Sequence, residues 1–148
     1  MASFLEESSS FSSALARLAG KSVLVLGHRR PDGDCIGSQV ALTRVLLSEG
    51  IDARAVNADP IPRTLQKFVG DTPFFRTEEV EGEEFTVVTV DCADHKRVGE
   101  ELVGRFPNVF LNVDHHVSNV GYAEINLVLP EASATGEILG KFFLDNEM

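Results

Sequence analysis

Three short apolar runs in this chain each stop on a cluster of acidic and histidine residues. Ser22-Val23-Leu24-Val25-Leu26-Gly27 leads into His28-Arg29-Arg30-Pro31-Asp32-Gly33-Asp34. Phe85-Thr86-Val87-Val88-Thr89-Val90 leads into Asp91-Cys92-Ala93-Asp94, and Val109-Phe110-Leu111-Asn112-Val113 into Asp114-His115-His116. Such runs are apolar without alternation, the pattern of strands buried on both faces, as parallel strands are. Ligands in open parallel sheets bind outside the carboxyl ends of the strands, so the three polar clusters are expected to converge on one edge.

The segments between the runs carry helical spacing. Phe11, Ala14, Leu15, Leu18 and Ala19 fall on one helix face, with serines before them and Gly20 after. Ile36 to Glu49 reads as a second helix ending at Gly50, and Pro62 to Val69 as a third. His95 to Arg105 gives a short fourth helix, and Ala134 to Asp145 a last one with Ser133 as its N-cap. Further strands are expected near Ala53 to Val56 and Asn126 to Leu129. Glu78, Glu79, Glu81, Glu83 and Glu84 crowd a connection that reads as a solvated loop. Alternating strands and helices predict an α/β fold, a mainly parallel five-stranded sheet between helices in three αβα layers.

A length of 148 residues suits one domain, with no repeat, linker or internal boundary in view. Thirteen Lys and Arg stand against 23 Asp and Glu, a net charge of −10, which excludes non-specific clamping of duplex nucleic acid. One Tyr, no Trp and ten Phe leave few platforms for a long single strand. A small anionic substrate needs only a local positive site, which bound metal ions supply. No run approaches the length of a membrane span, and the first ten residues lack a signal-peptide pattern. Cys35 and Cys92 form no disulfide framework, so no membrane partner and a reduced, cytoplasmic setting are expected.

The converging loops bring together His28, His115 and His116 with Asp32, Asp34, Asp91, Asp94 and Asp114. So many carboxylates in one mouth raise one another's pKa values, and divalent cations resolve the conflict. Hard oxygen with imidazole favours Mn, Mg, Fe or Co over structural zinc. Asp32 and Asp34, on one turn, are able to aim at two different metals with Asp91 bridging them, a pair suited to phosphoryl transfer. Arg29, Arg30 and His116 are placed to meet non-bridging phosphate oxygens. Each cluster alone has a plainer reading: an Asp after a strand is ordinarily a cap, Asp-Gly is turn chemistry, and a His pair is usually exposed. Three in order at strand ends favour the metal site. No C-x-x-C spacing supports a His/Cys zinc site, so the cysteines read as packing residues.

Taken together these motifs resemble the DHH phosphoesterase superfamily, named for the run that stands here as Asp114-His115-His116. His28 to Ser38 looks like its first motif, Val90 to Asp94 its second, Asp114 to Asn119 its third, and Ala132 to Glu137 a segment that follows. The resemblance covers about Val23 to the end and is nearest the bacterial oligoribonuclease (nanoRNase) and pAp phosphatase branch, which includes cyclic dinucleotide phosphodiesterases.

The resemblance implies two divalent ions, manganese first. His28, Asp32 and Asp91 would hold one, and Asp34, Asp91 and His115 the other. His116 would sit near the scissile phosphate, Asp114 would orient its neighbours, and Asp94 and Arg97 would support the site. Asp34, Asp91, His115 and His116 are the catalytic residues on this reading. The expected chemistry is in-line attack by a metal-bridging hydroxide on a short oligonucleotide, pAp or a cyclic dinucleotide.

Family enzymes carry a further metal-binding Asp and then a smaller C-terminal substrate-binding domain, neither of which matches here. The chain is therefore expected to be the single metal-binding catalytic domain, 1–148, a fragment or a short relative with impaired turnover, and self-association into a homodimer stays open. The rival readings are a manganese-dependent inorganic pyrophosphatase, and a non-catalytic nucleotide- or metal-binding module. Gly33 and the Gly37-Ser38 pair lean towards nucleotide cleavage.

Overall fold

In the computed structural model, which describes residues 4–148, six strands form one sheet. They are β1 (Ser22–Leu26), β2 (Asp52–Asn57), β3 (Phe74–Arg76), β4 (Thr86–Val90), β5 (Leu111–Asp114) and β6 (Ile125–Val128). Their order is β3-β2-β1-β4-β5-β6, and every neighbouring pair is parallel. The helices are α1 (Leu5–Ala16), α2 (Gly33–Ser48), α3 (Gln66–Val69), α4 (Glu100–Arg105) and α5 (Thr135–Asp145).

The continuous apolar runs have the expected cause. Val23 and Val25 of β1 pack with Leu42, Leu46, Ile138 and Phe142 on one face. Leu24 and Leu26 pack with Val98, Leu102 and Phe106 on the other. Helices α1, α2 and α5 thus form one outer layer, while α4 and the 3-10 turn His95–Val98 form a thinner one opposite. Phe11 of α1 meets Phe142 of α5 at a ring separation of 4.9 Å, which locks the first helix to the last.

Five details depart from the sequence expectation. Helix α1 starts at Leu5, so the serines expected before it lie within it, and it ends at Ala16, which leaves Leu18 and Ala19 in the turn that follows. The sheet has a sixth strand, β3, whose three residues pair only with β2 and are too short to show a period. The helix expected at Pro62 to Val69 is a 3-10 turn, Arg63–Leu65, followed by the single turn of α3. The helix expected at His95 to Arg105 breaks at Gly99, whose φ of 113° lies outside the helical region. The N-cap of α5 is Ala134 rather than Ser133, although Ser133 Oγ and its N–H both donate to Glu137, at 2.6 and 2.7 Å. Among the described residues no helix is long and apolar enough to cross a membrane.

Strand order reverses between β1 and β4, since β1 continues to β2 on one side and β4 to β5 on the other. A crevice opens at such a reversal because the connections leave in opposite directions. The first two polar clusters stand on its two sides, with the third on the next strand.

Candidate metal centre

Asp91, directly after β4, organises the site. Its carboxylate is buried, and its backbone takes a φ of 55° while its N–H donates to Val113 O at 3.0 Å. A non-glycine residue in this region is uncommon and is held by its surroundings. The turn sends its two oxygens towards different imidazoles. His28 Nε2 lies 3.4 Å from Oδ2, and His115 Nε2 lies 3.5 Å from Oδ1.

Asp32 and Asp34 complete the two sides. Asp32 Oδ1 stands 3.8 Å from His28 Nε2 and also accepts the Cys35 N–H at 2.9 Å, so it is the N-cap of α2 as well. Asp34 Oδ2 stands 3.6 Å from His115 Nε2. The N–H groups of Thr135 and Gly136, at the start of α5, donate to Asp34 at 3.0 and 2.9 Å. That helix end anchors a carboxylate from the opposite end of the chain.

The donor set fits divalent cations. Metal–ligand bonds of about 2.0–2.2 Å put neighbouring donors about 3.0–3.6 Å apart, the spacing found around Asp91. His28 Nδ1 meets Arg29 O at 2.7 Å, an arrangement that fixes the proton on Nδ1 and leaves Nε2 to coordinate. The Asp91 carboxylate holds the His28 imidazolium up to about 11, with Cys35 adding to it, while burial pushes the Asp91 carboxyl above its ordinary range.

Asp114 is fully buried and bonds His116 Nδ1 at 2.6 Å, while Asn119 Nδ2 donates to its other oxygen at 2.8 Å. Asn119 also reaches Asn112, which donates to Thr89, whose hydroxyl meets Tyr122. This buried chain of amides and hydroxyls orients His116, which stands 3.8 Å from Asp91.

A cleft of about 660 Å³ adjoins His28 and is lined by Arg29, Arg30, Asp59 and Arg97. Arg30 itself has a φ of 53°, and its N–H donates to Asp59 at 2.7 Å. Asp94 accepts the Lys96 N–H at 3.0 Å and so caps the 3-10 turn that carries Arg97. The tightest donor groups at Asp91 are His28 with Cys35 and His115 with His116; Asp32, Asp34 and Asp94 lie outside them.

Several supporting residues carry no signal in the sequence. Gln39, fully buried, donates to Val25 O and Val56 O at 3.0 and 2.9 Å. Asn57 donates to His28 O and to Gln39. Together they join the ends of β1 and β2 behind the first loop. Thr135 Oγ1 donates to Asp91 Oδ1 at 3.0 Å. Cys35 lies beside His28 and Asp91, but its thiol is buried against Gln39 and burial pushes it up, so it packs as a neutral group.

The sequence matches the DHH family, N-terminal domain, over residues 22–148. It is 32% identical over 117 residues to the bifunctional oligoribonuclease and PAP phosphatase NrnA of Thermus thermophilus, covering 79% of this chain and 35% of that protein. It is 26% identical over 141 residues to the probable bifunctional oligoribonuclease and PAP phosphatase NrnA of Streptococcus mutans, covering 93% of this chain and 44% of that one. The chain therefore spans less than half the length of these curated relatives. Among solved structures, an exopolyphosphatase-related protein from Bacteroides fragilis shares the fold, with a TM-score of 0.79 at 20% identity over 94% of this chain and 43% of that one.

Proposed function

The chain belongs to the DHH family, and from that premise we propose that it is the metal-binding half of a manganese-dependent phosphoesterase acting on short oligonucleotides, pAp or cyclic dinucleotides. One observation carries the reading: the two oxygens of buried Asp91 face two different histidines, at 3.4 and 3.5 Å. A carboxylate so placed suits a bridge between two cations. His28 and Asp32 would complete one site, and Asp34 and His115 the other.

Bound there, divalent cations would supply Lewis-acid stabilisation of the phosphate and an acidified water. The chain's own residues do the rest. Arg29, Arg30 and Arg97 offer guanidinium groups to non-bridging oxygens, and His116, held by Asp114, stands 3.8 Å from Asp91. The nearly dry Asp91 makes these interactions stronger than they would be in water. The same reading takes the chain to be cytoplasmic, where Cys35 and Cys92 stay reduced, as both are unpaired here.

Manganese titration of the chain, read by calorimetry, tests the metal half: wild type takes up two ions and Asp91→Ala loses both. Manganese-dependent release from a phosphorylated dinucleotide, pAp and pyrophosphate, assayed in parallel, tests the reaction. Nucleotide turnover that Asp91→Ala abolishes supports it. Equal turnover by Asp91→Ala overturns it, and pyrophosphate as the sole substrate moves the assignment to a pyrophosphatase.

A further inference from the structure

Asp59 lines both the arginine cleft and a second cavity of about 300 Å³. We propose that this groove holds the nucleobase of the bound nucleotide, so that base recognition is built partly into the β2–β3 edge of this domain. The inference rests on the nucleotide reading above.

The arginine cleft shows what lies next door. Arg17, Arg44, Arg54, Arg76 and Arg105 each have an acidic partner within 4.0 Å. Arg29, Arg30 and Arg97, like Arg63, have no such partner among the described residues, but these three line one cleft together with His28 and Asp59. Three unpaired guanidinium groups gathered in one cleft of so acidic a protein suit a phosphate.

Asp59 lines both cavities and is rigidly held. Its carboxylate accepts the Arg30 N–H, and its own N–H donates to Asn57 Oδ1 at 3.0 Å. A nucleotide with its phosphate among the arginines would reach the groove at this shared residue.

The groove has the chemistry of a heterocycle site. Its walls are Ile61, Val69, Phe74 and Phe75, with Gln66 at the rim. Ile61 and Phe74 pack on buried Ile36, Val40 and Val69, and β3 is fixed by its pairing of Phe74 with Ala55 and Phe75 with Val56. The walls are therefore in place before a ligand arrives, which lowers the ordering cost of binding. A volume of about 300 Å³ is at the small end of ligand sites, the right scale for a base rather than a longer chain. Apolar faces with a polar rim match this lining, and base–aromatic contacts tolerate any of the four bases.

The test is a resonance-shift titration of the chain, with magnesium present, using adenosine 5′-monophosphate, uridine 5′-monophosphate and ribose 5-phosphate. Both nucleotides are expected to shift Ile61, Gly70 and Phe74 together with Arg29, Arg30 and Arg97, while ribose 5-phosphate shifts only the arginines. Ile61→Ser is expected to weaken both nucleotides about tenfold and leave ribose 5-phosphate unchanged. Nucleotide shifts confined to the arginines overturn the base site and leave the proposed function standing. If none of the three ligands shifts the arginines, the nucleotide reading fails with it.

Discussion

Asp34 Oδ2 accepts the backbone N–H of Thr135 at 3.0 Å, across 101 positions of sequence. The first N–H groups of a helix have no partner within it, and Ala134, the N-cap of α5, has no side-chain acceptor to offer. A carboxylate that faces His115 at 3.6 Å therefore also closes the N-terminus of the last helix. Removing it should damage both. Asp34→Ala is expected to lower the unfolding free energy by about 1–2 kcal/mol without metal, as loss of a charged cap does. Asp34→Asn, which keeps one acceptor oxygen, should fall between. Urea unfolding of the three proteins without metal checks this, and identical midpoints would remove the capping role.

Thr135 also ties α5 to Asp91 through its hydroxyl. Thr135→Val keeps the shape of the side chain and deletes the donor to a buried carboxylate. A cost of about 1–3 kcal/mol is expected, together with weaker manganese binding, since one oxygen of Asp91 loses its orientation. Thr135→Ser should restore manganese affinity. Calorimetric titration of the three proteins decides it: Val at wild-type affinity contradicts the prediction.

Gly27 stands where β1 gives way to the first loop. A Cβ there would crowd Cys35 Sγ most closely and lie 2.5 Å from Gln39 Oε1, closer than side-chain packing allows. Gly27→Ala is expected to cost about 1–3 kcal/mol through overpacking. Gln39→Leu, which strands the carbonyls of Val25 and Val56, should cost a similar amount. Thermal unfolding of each variant measures the loss, and a Gly27→Ala protein as stable as wild type would show that Gln39 moves freely.

Asp145 gives a pH signature away from the metal centre. Lys141 Nζ and Ser8 Oγ each meet its carboxylate at 2.6 Å and hold it below its ordinary value of 3.8, the lysine more strongly. A lowered folded pKa means that the contribution is present above 3.8 and lost as pH falls through the folded value. The stability difference between wild type and Asp145→Asn should therefore stay flat above about pH 5 and close as pH falls further. Salt should shrink it, because the pair is reached by solvent. A difference that grows in acid would reverse the assignment.

The convergence of the three polar clusters was legible in the sequence because they follow runs whose burial leaves little freedom. Val23 and Val25 must face one layer and Leu24 and Leu26 the other, so His28 to Asp34 emerges at the strand's end whatever the loops do. What stayed hidden depends on contacts between distant segments. Nothing near Ser133 announces that Asp34 caps α5, and Gln39 reads as an ordinary helix residue until β1 and β2 are laid beside it. Phe74 to Arg76 follows Pro73 and is too short to show a period, so β3 becomes visible only in its pairing with β2. The breaks in the two short helices have local causes, and Gly99 was the readable one.

The anchoring of Asp34 by α5 also sets an order of events during synthesis. A ribosome releases His28, Asp32 and Asp34 about 100 residues before the two amides that fix Asp34. Until then the nascent chain carries acidic and imidazole groups with nothing to shape them. The geometry of Asp34 is thereby deferred to the last helix, and a chain halted before it lacks the two amides that hold this carboxylate.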